Sequence, residues 1–136
     1  MKSLTIVAIF TALGCTGLHA QSVDMRAEIL FDFHAGAKLM PAGEYVVHAE
    51  GPLLWLRGAA NGGSAVAMIT VATSSLERSR AARLDFNRYG SEYFLTEVWS
   101  SANWDGRQLI PTSRQKELAK RGGVPDRAEV SLVSTK

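Results

Sequence analysis

RLDFNRYGSEYFLTEVW, residues 83–99, decides how the rest of the chain is read. Two runs of alternating apolar and polar side chains, residues 83–89 and 92–99, flank Gly90-Ser91. Alternation with period two marks a half-buried strand, and two such runs parted by a two-residue, glycine-led loop predict a hairpin with a type II′ turn. A two-residue loop also sets the register. Tyr89 should face Glu92, Arg88 Tyr93, Phe86 Leu95 and Leu84 Glu97, with Asp85 opposite Thr96 on the other side. One face then holds Leu84, Phe86, Leu95 and Trp99, and Glu97 stands among them.

The same period extends outward from the hairpin. Residues 26–33 alternate, with Ile29, Phe31 and Phe33 on one side; Gly36 and Pro41-Ala42-Gly43 then make a turn into a strand over residues 44–49, with Tyr45 and Val47 inward. Gly51-Pro52 separates this strand from a short one at 53–57. The run 58–63 forms a flexible loop, and residues 65–72, apolar on both faces, read as a central strand. On the C-terminal side, Trp104-Asp105-Gly106 reads as a turn leading to a brief strand at 107–110. A helix over 113–121 follows, capped by Thr112 or Ser113 and ended by Gly122-Gly123, and then a final strand at 128–133. About eight short strands and one late helix predict a mainly β domain, a small antiparallel barrel or sandwich.

The N-terminus belongs to a different category. Met1-Lys2, an uncharged run over residues 4–13 and a small, mildly polar stretch to Ala20 have the pattern of a secretory signal peptide, with cleavage after Ala20. The apolar run is half the length needed to span a bilayer, and no later segment is longer, so no transmembrane segment is expected. A rival reading takes Ala12-Leu13-Gly14-Cys15 as a lipoprotein box with Cys15 acylated, although its leucine and small residue stand in reverse order. Removing 20 of the 136 residues leaves one domain of 116, residues 21–136, with 14 basic and 13 acidic side chains and no cysteine. Such a domain is expected to be secreted or periplasmic, and to rely on its core without disulfides.

The motifs Phe31-x-Phe33-x-x-Gly36, Pro41-Ala42-Gly43-x-Tyr45, Leu84-x-Phe86-x-x-Tyr89-Gly90, Tyr93-Phe94-Leu95-x-Glu97-Val98-Trp99, Gly106-Arg107-x-Leu109 and Glu117-Leu118-Ala119 follow one another along most of the mature chain. In that order they resemble a family of small uncharacterised secreted proteins common in acidobacteria. The resemblance implies an exported bacterial β domain; it implies no activity. The chain departs from the family mainly in a longer Ala/Gly loop near residues 58–65.

Several chemistries lack their residues. Without a mature cysteine, thiol catalysis and cysteine-ligated zinc are excluded, and His34 and His48 lack the spacing of a metal motif, so neither metal nor cofactor is expected. Gly62-Gly63-Ser64-Ala65-Val66 begins like a nucleophile elbow but precedes a strand, and reads as a loop. Arg78, Arg80, Arg83 and Arg88 are the basic concentration, diluted by Glu77, Asp85 and Glu92, so nucleic acid is not an expected partner. Glu97 is the acid expected on an apolar face. Because a buried carboxylate is costly unless paired, Arg107 on the following strand is its expected partner. Trp55 and Trp99 read as core residues, and Trp104, in a polar loop, as exposed.

The candidate ligand-binding set is therefore Glu97, Trp99, Trp104 and Arg107, with no catalytic residue assigned. The leading expectation is a non-catalytic module that binds a partner protein, an envelope component or a small ligand. A hydrolase or lyase acting on an extracellular polymer with Glu97 as its acid, and a calycin-like carrier of a small apolar ligand, are the alternatives.

Overall fold

A computed structural model describes residues 23–59, 64–74, 81–99 and 105–134; the expected signal peptide, Cys15, the Ala20 cleavage site and Trp104 lie outside them. Their elements are β1 (Val23–Ile29), β2 (Phe33–Ala35), β3 (Lys38–Met40), β4 (Gly43–Glu50), β5 (Leu53–Gly58), β6 (Ala65–Ser74), β7 (Arg83–Tyr89), β8 (Glu92–Trp99), β9 (Asp105–Leu109), α1 (Ser113–Gly122), β10 (Asp126–Ser131) and β11 (Val133–Ser134). The domain is mainly β with one helix in its C-terminal half, as expected. It has more strands than the eight expected because the run 26–33 divides at exposed Leu30 and adds the hairpin β2–β3, and because the last strand divides at Leu132.

The β7–β8 hairpin forms around Gly90, whose φ of 64° is one that side chains other than glycine rarely adopt. Near the turn the pairs are those expected: Tyr89 with Glu92, Arg88 with Tyr93 and Phe86 with Leu95. The register then slips, so that Asp85 faces Glu97, Leu84 faces Val98 and Arg83 faces Trp99, leaving Thr96 as the extra residue of a β-bulge. The Thr96 hydroxyl donates to the Asp85 carbonyl at 3.0 Å, which satisfies a backbone group at the irregularity. The consequence corrects the sequence reading. Val98, not Glu97, joins Leu84 in the core, and both Glu97 and Trp99 turn to the outer face.

The strands run in the order β10-β7-β8-β9-β6-β5-β4-β1-β11, with β2 pairing β3 and, in parallel, β8. Strand β6 carries the sheet around the core. Its first half pairs with β5 up to Ile69, and its second half, from Thr70, pairs with β9. At the crossover, the backbone N–H and the hydroxyl of buried Thr70 both donate to the Pro52 carbonyl at 2.8 Å. The end strands β10 and β11 are consecutive in the chain, and the N–H of Leu132 between them donates to the Ala82 carbonyl at 3.0 Å. The sheet is not closed into a barrel, which narrows the architecture expected from sequence.

Between the folded halves, Ile29, Phe33, Met40, Val47, Leu54, Leu56, Leu84 and Phe86 are fully buried in one cluster. Phe33 meets Tyr45 and Phe86 edge-on at 5.3 and 5.5 Å, and Phe31 meets Phe86 edge-on at 5.0 Å while stacking on Tyr93 at 3.9 Å. The Pro41-Ala42-Gly43 turn is held from two sides: Asp32 accepts from the Ala42 N–H at 2.8 Å, and the Tyr45 hydroxyl donates to the Pro41 carbonyl at 2.5 Å. Helix α1 starts as expected, with the Thr112 hydroxyl accepting from the Gln115 N–H at 3.2 Å, and buries none of its residues. It is tied to the domain by Arg114, which donates to Glu92 at 3.1 Å.

Replacing Phe86, which packs on the rings of Phe31 and Phe33 and pairs with two strands, with alanine should destabilise the domain by about 3–5 kcal/mol. Urea unfolding of the two proteins checks this, with a shift in midpoint at unchanged slope expected.

Candidate functional site

The bulge at Thr96 builds a polar cluster on the outer face of β7–β9. Asp85 and Glu97 stand opposite each other across β7 and β8, and the Trp99 indole N–H is shared between them, 3.1 Å from Asp85 Oδ2 and 2.9 Å from Glu97 Oε2. Asp85 is 2% exposed, and its other oxygen accepts from Arg83 Nε at 2.9 Å. A charge so buried requires such partners. The Trp99 ring, 7% exposed, lies between the Arg83 guanidinium, 5.2 Å from its centroid, and Gly106 on β9. Gly106, expected in a turn, is instead a strand residue of β9, and the position takes glycine because a Cβ there would stand 2.5 Å from a ring carbon of Trp99.

Of the four expected ligand residues, the structure brings two together. Glu97 and Trp99 are bonded to each other, while Gln108 faces Glu97 across β8–β9 and Arg107 faces Val98, on the opposite face of the sheet. Arg107 is therefore not the cross-strand partner expected for Glu97, whose partner is the indole. The acid that sequence reasoning placed out of reach, Asp85, is the residue facing Glu97. The expected basic concentration is also divided: Arg83 pairs with Asp85, Arg88 with Asp126 at 2.8 Å, and Arg78 and Arg80 lie outside the described residues.

A second arrangement, not anticipated from sequence, lies on the outer face of β1, β4, β5 and β6. Register aligns Asp24, His48, Trp55 and Ala67 in one cross-strand row, and Arg26, Val46, Arg57 and Ala65 in the next. Where Ala65 and Ala67 stand beside the long side chains of Trp55 and Arg57, the sheet surface is hollow. The result is an open cavity of about 500 Å³ lined by Val46, Trp55 and the two alanines together with Asp24, His48 and Arg57. Trp55, expected in the core, is half-buried on this surface. The β4–β5 hairpin carries the signal for it, since a two-residue Gly51-Pro52 loop already implies that His48 faces Trp55.

His48 sits between two carboxylates, with Nδ1 hydrogen-bonded to Asp24 and Nε2 3.4 Å from Glu50, and its ring centroid is 5.2 Å from that of Trp55. The bond to Asp24 raises its pKa above 6.5, opposed by partial burial and reinforced by Glu50. Because the acids meet opposite ring nitrogens, they do not converge with His48 on a point. Among the described residues no group of three or more His, Cys, Asp or Glu is placed to hold a metal ion, and no helix is long and apolar enough to cross a membrane. The second histidine, His34, stacks on Phe94 at 4.5 Å and lies 3.6 Å from Glu92. No protein-family model, curated protein or solved structure matches the chain.

Gly106→Ala should force the Trp99 ring from its place and cost about 1–3 kcal/mol, as overpacking does; chemical denaturation together with the near-ultraviolet dichroism of Trp99 measures both. The raised pKa of His48 implies stability that is fully present below about 6.5 and is lost as pH rises through the folded-state pKa. An NMR titration should place His48 above 6.5, and Asp24→Asn should bring it down.

Proposed function

We propose that the protein is exported to the periplasm or beyond, loses residues 1–20, and serves there as a non-catalytic module that binds an envelope component. The same proposal places it in the family of small secreted acidobacterial proteins that its motif order resembles. The observation that carries the binding role is the outer face of β4–β6. Beside the Trp55 hollow, Leu53, Ile69 and Val71 are 37%, 66% and 55% exposed, so apolar side chains continue across neighbouring strands. A sheet face normally alternates apolar inward with polar outward, and β6 departs from that pattern over its length. Export is supported by the charged, apolar and small-residue order of residues 1–20.

The enzyme reading draws on one feature, the facing carboxylates Asp85 and Glu97. Their engagement with Trp99 and Arg83 favours a structural role, because both oxygens of buried Asp85 are already bonded. A carrier of an apolar molecule would need room between the layers, where Phe33, Phe86, Leu54 and Leu56 are fully buried in one cluster.

Co-sedimentation of the mature protein with isolated bacterial envelopes tests the proposal. Wild-type protein should pellet with the envelopes, and Ile69→Lys combined with Val71→Lys should leave it in the supernatant. Release of soluble fragments by wild type but not by Glu97→Gln would instead establish the enzyme reading, and equal pelleting of both proteins would remove this face from the binding role. The mass of the protein recovered from the periplasm should match a chain beginning at Gln21; a lipid-modified Cys15 would shift it.

A further inference from the structure

We propose that the Trp55 hollow is a saccharide-binding site, an inference that rests on the envelope-binding reading and names the chemistry it recognises. The argument begins with the shape of the surface. A sheet face is flat unless side chains of different size alternate across it, and here Ala65 and Ala67 lie directly opposite Arg57 and Trp55. The half-buried indole lines the hollow beside Ala67, and His48 stands across the β4–β5 pair, ring centroids 5.2 Å apart. The cavity of about 500 Å³ falls within the ordinary range for small-molecule sites, and Val46, Trp55 and the two alanines give it apolar lining.

The polar groups select the ligand class. Asp24 offers a carboxylate oriented by its bond to His48, and Arg57, two residues from Trp55 on β5, offers a guanidinium. Acceptor and donor therefore border one aromatic surface. Among the carboxylates and guanidinium groups that line the hollow, Asp24 is matched by Arg57, so the site has little net charge with which to select a strong anion or cation. A sugar ring fits that combination: its C–H face is apolar enough to lie on an indole, and each hydroxyl both donates and accepts. The openness of the site agrees as well. A polyol can stack one face on Trp55 and keep its outer hydroxyls in water, whereas a purely apolar ligand would gain too little from a cavity walled on one side. Because every contributing side chain stands on a strand, the platform is held in place before a ligand arrives.

The groups aligned toward the hollow come from four strands: Asp24 from β1, Val46 and His48 from β4, Trp55 and Arg57 from β5, and Ala65 with Ala67 from β6. Ala67 is the informative position for a test. Filling it removes the vacancy beside the indole without removing any polar group.

The experiment is a titration of the isotope-labelled mature protein with neutral soluble oligosaccharides, chitotriose, cellotriose and xylotriose, followed by the indole and backbone resonances of β4–β6. At least one should move the Trp55 indole N–H signal together with backbone signals of β4–β6, and the affinity read from those backbone signals should fall by about tenfold or more in Trp55→Ala and in Ala67→Leu while the thermal unfolding midpoint stays near that of wild type. Asp24→Asn should weaken it less. If none of the three sugars shifts Trp55, or if Ala67→Leu binds as wild type does, the saccharide inference is overturned. Envelope pelleting separates this outcome from failure of the broader reading: pelleting that survives Trp55→Ala leaves a binding module without a sugar site, whereas sugar-induced shifts without pelleting leave a sugar site whose role is not envelope binding.

Discussion

One extra residue in β8 organises much of this domain. By inserting Thr96, the β7–β8 hairpin changes the phase of its alternation midway, so that Leu95 and Val98 both point inward although an odd number of positions separates them. The same shift turns Glu97 and Trp99 outward, sets Glu97 opposite Asp85, and brings the indole across β9, where glycine is required. Without the bulge, the register would direct a carboxylate into the apolar cluster, which is costly without a partner. With it, the acids and Arg83 enclose Trp99, and the outer layer over β7–β9 becomes a small polar core of its own.

The two outer faces consequently differ in kind. Over β7–β9 the charged groups are spent on one another: Asp85 on Arg83 and Trp99, and Glu97 on Trp99. Over β1 and β4–β6 the polar groups border a hollow, and apolar side chains remain at the surface. The difference arises from residue size as much as from charge. Gly106 allows Trp99 to lie flat and be covered, whereas Ala65 and Ala67 leave Trp55 standing beside an empty place. Each tryptophan is located by the small residue across from it, and only one of the two retains an accessible face.

Much of the fold was legible because its signals are local. The strands at 44–49, 53–57 and 65–72, the two-residue loop at Gly90-Ser91 and the helix capped by Thr112 all recur in the structure within a few residues of where periodicity and turn chemistry put them. The hairpin β2–β3 was less visible, because strands of three residues are too short to display a period. The hollow at Trp55 was not read from the sequence, and of the polar cluster on β7–β9 only a part was. Glu97 and Trp99 were expected on one face and do share one, but the bulge between Leu95 and Glu97 has no marker in a run of ordinary strand residues, so that face and its partners were misassigned.

By itself the sequence determined what local chemistry can determine: a mainly β chain with one helix in its C-terminal half, and turns at Pro41-Ala42-Gly43, Gly51-Pro52 and Gly90-Ser91. Tertiary structure alone decided which faces those strands present. A side chain's face depends on register, and register beyond a tight turn depends on whether the partner strand carries an extra residue, which is settled by packing across the whole sheet. The hollow at Trp55 is of the same kind, since the residues that bound it come from four strands and meet only through the register between them.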